Sequence, residues 1–363
     1  MNMAAALRRA IFPVPLGGGG LIFGANPDTI DLGLWWRPAG PGEARPLTMG
    51  DGEYVHPRLS LDGRKLVATL VHTRQALVRL PIDGAPSAID PMTDGYSGDL
   101  DPSFDLRTDR MVFSSTRSGH RNLWLARADG SEATPLTMGT AIDERPAFSP
   151  DGELVAFASD RSGQRGIWVM STSGGAPKML AETIALGMLT WSSDGKRIIF
   201  ARPEGNRTGL ASVSATDGKV EPIPTPASAC CVAASPTSNV LAYLQPTLLP
   251  PQGPSGASVA RLWLKFMDGQ GRPLYSDMPE QQFANGFLAW SPDGKRLAAA
   301  SVPPTGSASI WIVEPGAREP YRKLADLPIA VRPRGLTWTR DGSSVITAHQ
   351  ESLGDIVMFD VSQ

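Results

Sequence analysis

Apolar and polar residues alternate in short runs along nearly the whole chain. The stretch "AFSPDGELVAFASDRSGQRGIWVMS", which begins at Ala147, shows the unit of the pattern. Alternation with period two predicts half-buried strands, and the Pro-Asp-Gly and Ser-Gly punctuation predicts tight hairpins between them. The same text recurs as "TWSSDGKRIIFARPEGNRTGLASVS" from Thr190 and "AWSPDGKRLAAASVPPTGSASIWIVE" from Ala289. With the turn glycine as marker, equivalent positions fall at Gly18, Gly63, Thr108, Gly152, Gly195, Ser238, Gly294 and Gly342. These steps are 43–48 residues long, except for one of 56 that contains a Pro/Gly-rich stretch at 245–257, expected to be an exposed loop.

Each unit parses as four short strands. The first carries one large apolar residue: Leu59, Phe104, Phe148, Trp191, Trp290 or Trp338. The third often carries a tryptophan: Trp35, Trp124, Trp168, Trp263 or Trp311. Four antiparallel strands per repeat of this length are the pattern of a β-propeller blade. The expected fold is therefore all-β: a closed propeller of about eight four-stranded antiparallel blades, with seven as the alternative count. The recurrent aromatic residues are expected to be core between blades. Residues 1–10 read as an N-terminal tail and 11–363 as a single propeller domain. The last unit stops after a third strand at 356–361, so a three-stranded final blade, or one completed by residues 4–10, is expected.

The segment "FSPDGELVAFASDRSGQRGIWVMSTSGG" closely resembles the repeat of TolB-type propellers, a relative of the WD repeat. The resemblance is strongest around Gly63, Gly152, Gly195, Gly294 and Gly342. It weakens at "DLRTDR" and "SPTSNV". It implies a toroid used mainly for binding. Such propellers also form parts of bacterial transcriptional regulators and kinases and the gate of prolyl-oligopeptidase-like enzymes. The repeat motif is structural and carries no catalytic residue.

Net charge is −2 and no Lys/Arg block occurs, which argues against nucleic acid as partner. No apolar run is long enough for a membrane-spanning helix. The opening "MNMAAALRRAIFPVPLGGGG" is interrupted by prolines and glycines and makes a poor signal-peptide core. A cytoplasmic location is expected as written, or a periplasmic one if the chain is a fragment of a longer secreted or anchored protein. A monomer or part of a larger polypeptide is expected. The two cysteines, Cys230 and Cys231, are adjacent. Strand alternation would send one inward and one outward as reduced thiols.

The sequence contains no nucleophile elbow, phosphate-binding loop, HExxH or CxxC motif. The candidate chemistry lies just upstream of the inner strands of three successive units. There the chain reads Glu53 to His56, Asp99-Leu100-Asp101 and Asp143-Glu144-Arg145. Later units place Leu186, Ala229, Asn285 and Pro333 at corresponding points. In a propeller these segments reach the channel mouth, which is therefore expected to be acidic on one side. Glu53, His56, Asp99, Asp101, Asp143, Glu144 and Arg145 are the candidate ligand-binding residues. No cofactor is expected, although such an oxygen cluster would suit a divalent cation such as calcium or a basic peptide. The bland alternative is that Asp99 and Asp143 bond backbone amides at strand starts. The functional expectation is a non-catalytic interaction or sensing propeller that binds a protein, peptide or small ligand at the channel mouth. The alternatives are a propeller-fold hydrolase or lyase, and a detached gating or sensor propeller.

Overall fold

The computed structural model describes residues 11–25, 33–48, 52–83, 89–225, 227–248, 260–275, 282–283, 286–301, 307–327 and 331–360. Among the described residues the regular elements are all strands. They form seven sheets of four or five strands, built from antiparallel hairpins. The expected tail at 1–10 lies outside the described residues, as does 249–257 of the expected loop; 245–248 instead prolong the strand Val240–Leu248.

The sequence punctuation acts as hairpin chemistry requires. In the turn after Phe148, Ser149 Oγ donates to Asp151 Oδ1 at 2.5 Å, and the amides of Glu153 and Leu154 donate to Asp151 Oδ1 and Ser149 Oγ. Gly152 sits at φ +71, where only glycine is free of a steric penalty. The hydroxyl-to-Asp bond recurs at Ser60–Asp62, Ser192–Asp194, Ser291–Asp293 and Thr339–Asp341. Each cap satisfies amides that the tight turn would leave unpaired.

Eight repeats yield seven sheets because two repeats lack their second turn. "KLVATLVHTRQALVRLP" has no glycine, and no proline before its last residue, so Lys65–Pro81 runs as one 17-residue strand. Ser344–Asp360 does the same. The chain forms two compact units whose boundaries fall inside these strands: residues 1–74 with 351–363, and residues 75–350. The repeat register, by contrast, runs as one array over 11–363.

The smaller unit contains the sheet that starts with Ile11–Pro15 and, as its second blade, the strand segments Glu53–Leu59, 65–74 and 351–360. The third strand expected at 356–361 thus pairs, as far as 360, within this second blade. Val14, Ile22, Leu34, Leu66 and Ala68 form its core, with Val357 and Phe359 packed against it.

The larger unit contains six blades, five of them whole sheets. The sixth consists of Val331–Trp338, 344–350, 75–81 and Asp90–Pro91, so segments from both ends of the unit complete one four-stranded blade. Six hydrophobic clusters each join neighbouring blades. The first holds Val112 and Leu123 against Phe148 and Val155. The last brings Leu77, Ile346 and Ala348 onto Phe104, Met111 and Phe113, which closes the ring. The inner-strand aromatic residues are core, as the repeat implies: Trp338 is 1 % exposed. Each large side chain so buried contributes about 1.5–3 kcal/mol. The indoles also bond across blades. Nε1 of Trp191, Trp290 and Trp338 donates to the carbonyls of Ala147, Ala233 and Ala289 of the preceding blade.

Candidate functional site

Four successive inner strands of the larger unit enter their sheets through a bulge. Pairing skips between Leu100 and Ser103, Glu144 and Ala147, Leu186 and Thr190, and Cys230 and Ala233. Inside each gap one residue takes a left-handed backbone: Asp101 (φ 54), Arg145 (φ 57), Gly187 (φ 74) and Cys231 (φ 53). Gly335 (φ 71) holds the equivalent place in the sixth blade. A bulge re-aims side chains and ends ladder pairing, a common device beside functional sites. These residues lie next to one another around the channel of the larger unit. A Cβ on Gly335 would stand 2.8 Å from Asp101 Cα, and one on Gly187 3.9 Å from Cys231 Cα. In the smaller unit, His56 (φ 52) and Phe12 (φ 53) occupy the same register position, with rings 4.7 Å apart.

The structure divides the candidate carboxylates into two kinds. Asp99 is fully buried and accepts both its bonds from Arg117 Nη2, each at 2.9 Å. Asp143, also fully buried, accepts from Arg161 Nη2 at 2.6 Å. Each arginine also donates Nε to a strand serine, Ser115 or Ser159. Each guanidinium lies over two aromatic rings: Arg117 over Phe113 and Trp124, Arg161 over Phe157 and Trp168, at 4.9–5.3 Å. These assemblies brace two blades, and both arginines escaped the sequence reading. The identical spacing of Asp99–Arg117 and Asp143–Arg161 was the available signal.

Asp101 and Glu144 are the second kind. Asp101 Oδ2 accepts the backbone N–H of Arg145 at 3.3 Å and the Ser114 hydroxyl at 3.5 Å. Burial raises its pKa; the Arg145 charge opposes the rise and Glu144 adds to it. Glu144 Oε1 accepts Arg165 Nη1 at 2.5 Å and faces Arg145 Nη2 at 3.5 Å. Arg145 Nη1 donates to the carbonyl of Ala185 at 2.7 Å, so it spans to the next blade. Arg121, on the hairpin beside this group, donates weakly to the Gly98 carbonyl at 3.5 Å. Burial lowers its pKa, while Asp101 and Glu144 raise it and the charge of Arg334 lowers it further. Two carboxylates therefore stand among Arg121, Arg145, Arg165 and Arg334, and the sector is mixed in charge where the sequence pattern implied an acidic one. Glu53 and His56 belong to the smaller unit. Among the described residues no group of three or more His, Cys, Asp or Glu could hold a metal ion. No helix of the described residues is long and apolar enough to cross a membrane.

The cysteines depart from strict alternation. The bulge at Cys231 turns both sulfurs to one side, with their Sγ atoms 3.3 Å apart, where the sequence pattern placed one in and one out.

Residues 87–249 match the family model of the TolB beta propeller domain. Comparison with the curated proteins found no match. Among solved structures, a putative TolB from Agrobacterium tumefaciens is similar with a TM-score of 0.59 at 16% identity, over 77% of this chain and 99% of that one. TolB from Acinetobacter baumannii is similar with a TM-score of 0.51 at 12% identity, over 95% of this chain and 79% of that one. At such identity these likenesses speak to fold alone. Repeat register, blade topology and structural likeness agree on an all-β propeller fold, and within it residues 87–249 carry the TolB beta propeller domain.

Proposed function

We propose that the chain is a non-catalytic binding propeller whose 75–350 unit takes an acidic peptide segment of a protein partner at its channel mouth. The observation that carries this is the excess of guanidinium over carboxylate in the sector around Asp101. Arg117 and Arg161 already neutralise Asp99 and Asp143. Glu144 has Arg145 and Arg165. Arg121 makes only a long bond to a backbone carbonyl, and a desolvated guanidinium gains most from an incoming carboxylate that can accept two parallel bonds. Electrostatic complementarity of this kind sets specificity and encounter rate. A basic segment or a divalent cation, which the carboxylates alone suggested, would meet four arginines in the same sector.

The test is fluorescence anisotropy of the full chain with labelled tetraglutamate and tetralysine peptides at two salt concentrations. Tetraglutamate should bind, more weakly at high salt. Arg121→Gln should weaken it about tenfold, equivalent to ~1.4 kcal/mol, without lowering the melting temperature. Preference for tetralysine, calorimetric heat with calcium, or no binding of either peptide would overturn the proposal.

A further inference from the structure

The vicinal cysteines carry chemistry that a binding role for the arginine sector does not use. Cys231 sits on the inner strand Cys230–Ala234 at the ring position held elsewhere by Asp101, Arg145, Gly187 and Gly335. Its left-handed backbone defeats the alternation of the strand, so two neighbouring side chains share one side. Both cysteines are partly accessible. On the side of Gly187 the ring has no side chain at all, and a Cβ there would have only Cys231 Cα within 4 Å. The result is a preformed dithiol beside open space.

We propose that Cys230 and Cys231 form a chelating site for a trivalent, thiophilic centre of the organoarsenical class. The geometry selects this class. Thiolates bond soft centres such as zinc at about 2.3 Å. Two such bonds hold their sulfurs ~4.6 Å apart when collinear, ~3.8 Å apart at the tetrahedral angle and ~3.3 Å apart near a right angle. The observed 3.3 Å matches the near-right angle of a pyramidal trivalent centre. Direct joining of the sulfurs is the poorer course, because adjacent Cα atoms lie ~3.8 Å apart, below the usual disulfide span of about 4.4–6.8 Å. A third atom between the sulfurs removes that constraint.

Protonation suits the step. The hydrogen bond with Cys230 lowers the Cys231 pKa against the effect of burial, and the Gly286 backbone N–H adds to the lowering; the same bond and burial raise Cys230. Cys231 is thus the more readily ionised sulfur of the two and attacks first. With an aryl arsenic oxide, the Cys231 sulfur bonds arsenic and the oxide takes up a proton. The Cys230 sulfur then displaces the resulting hydroxyl as water, with its own proton completing the balance. Two S–H bonds and the As=O bond are exchanged for two S–As bonds and one water. Arsenic stays trivalent and no oxidant is needed.

The experiment exposes the full-length folded protein to phenylarsine oxide and reads stoichiometry by intact mass, with thiol titration alongside. The expected result is one phenylarsenic per chain with both thiols lost. It should persist in excess monothiol and be released by a dithiol such as ethanedithiol. Cys230→Ser and Cys231→Ser should each abolish the monothiol-resistant adduct. Two arsenicals per chain, stripping by monothiol, or reaction only after unfolding would each overturn the proposal. So would an intramolecular disulfide formed with oxidised glutathione in preference to the adduct.

Discussion

The Arg117 assembly offers a sharp test of how the blades next to the channel mouth are held. Arg117→Met keeps the aliphatic stem over Phe113 and Trp124 but removes the fork that serves Asp99. The Asp99 side chain has no exposure and Arg117 only 23%. Removing one partner of a buried pair leaves an uncompensated charge and costs about 3–5 kcal/mol. For a unit of this size each kcal/mol lowers the melting temperature by about 2 °C, so a drop of roughly 6–10 °C is expected. Asp99→Asn in the same background removes the stranded charge. The double variant should recover at least half of the loss, because a neutral pair no longer needs the arginine. Arg127→Met supplies the control. Its partner is Glu132, both side chains are more than 60% exposed, and the change should leave stability where it was. Urea unfolding followed by tryptophan fluorescence reads all four proteins. If Arg117→Met loses no more than Arg127→Met, the buried pair is not what fixes the start of that inner strand. If the double variant falls as far as Arg117→Met, the stacking of the arginine, not its charge, supplies the stability.

Trp290→Ala should destabilise the protein by about 3–5 kcal/mol in urea unfolding, since the ring fills the interface between two blades. Trp338→Phe should cost about 1–3 kcal/mol, mostly from stranding the Ala289 carbonyl, again by urea unfolding. Gly335→Ala should cost about 2–4 kcal/mol, because it combines a left-handed backbone with a Cβ 2.8 Å from Asp101 Cα; melts that match wild type would refute the close approach. Hydrogen bonds from Ser149, Ser192 and Ser291 hold the turn carboxylates of Asp151, Asp194 and Asp293 below the ordinary aspartate value. The stability they supply is present above the unfolded value of 3.8 and lost as pH falls through the folded values, so the triple serine-to-alanine variant should show a shallower acid loss in pH-dependent melts. Asp101 has the opposite sign: its pKa is raised, so Asp101→Asn should stabilise most at neutral pH, with the gain shrinking as pH falls toward 3.8.

Much of this was legible in the sequence because the determinants are local. A Ser-x-Asp-Gly turn carries its own caps and its own positive-φ residue, so strand starts and hairpins could be placed by inspection. The buried ring of Phe148, Trp191, Trp290 and Trp338 followed from register alone. The absence of any turn residue in 65–80 also stood in plain view, and it marks where one repeat passes straight into another sheet. The charge balance of the mouth was harder. Asp101 and Glu144 are drawn to arginines on hairpins 20 or more residues away, such as Arg121 and Arg165, which only the folded blade brings near. The cysteine geometry was hidden for a different reason. Alternation assumes extended backbone at every residue, and nothing about Cys231 announces a left-handed one. Only glycines at the matching positions 187 and 335 hinted that this register point is bent.

The two kinds of carboxylate are also one device. Asp99 stands two residues before Asp101, and Asp143 one residue before Glu144. Each buried pair with arginine fixes the start of an inner strand immediately ahead of the bulge that holds Asp101 or Arg145 in a left-handed backbone. A strand end without that anchor would fray, and the left-handed residue behind it would sample other conformations at a cost to any ligand that needs one of them. The braces occur in the two blades that supply Asp101, Glu144 and Arg145, while the blade that follows presents Gly187 at the ring position and has no such carboxylate to position. A binding role for the sector therefore couples two readouts that a purely structural role keeps apart. Arg117→Met should lower both stability and affinity for an acidic peptide. Arg121→Gln should lower affinity alone. An Arg117→Met protein that is destabilised yet binds tetraglutamate as wild type does, at a temperature where it is fully folded, would show that the braces serve the fold and not the mouth.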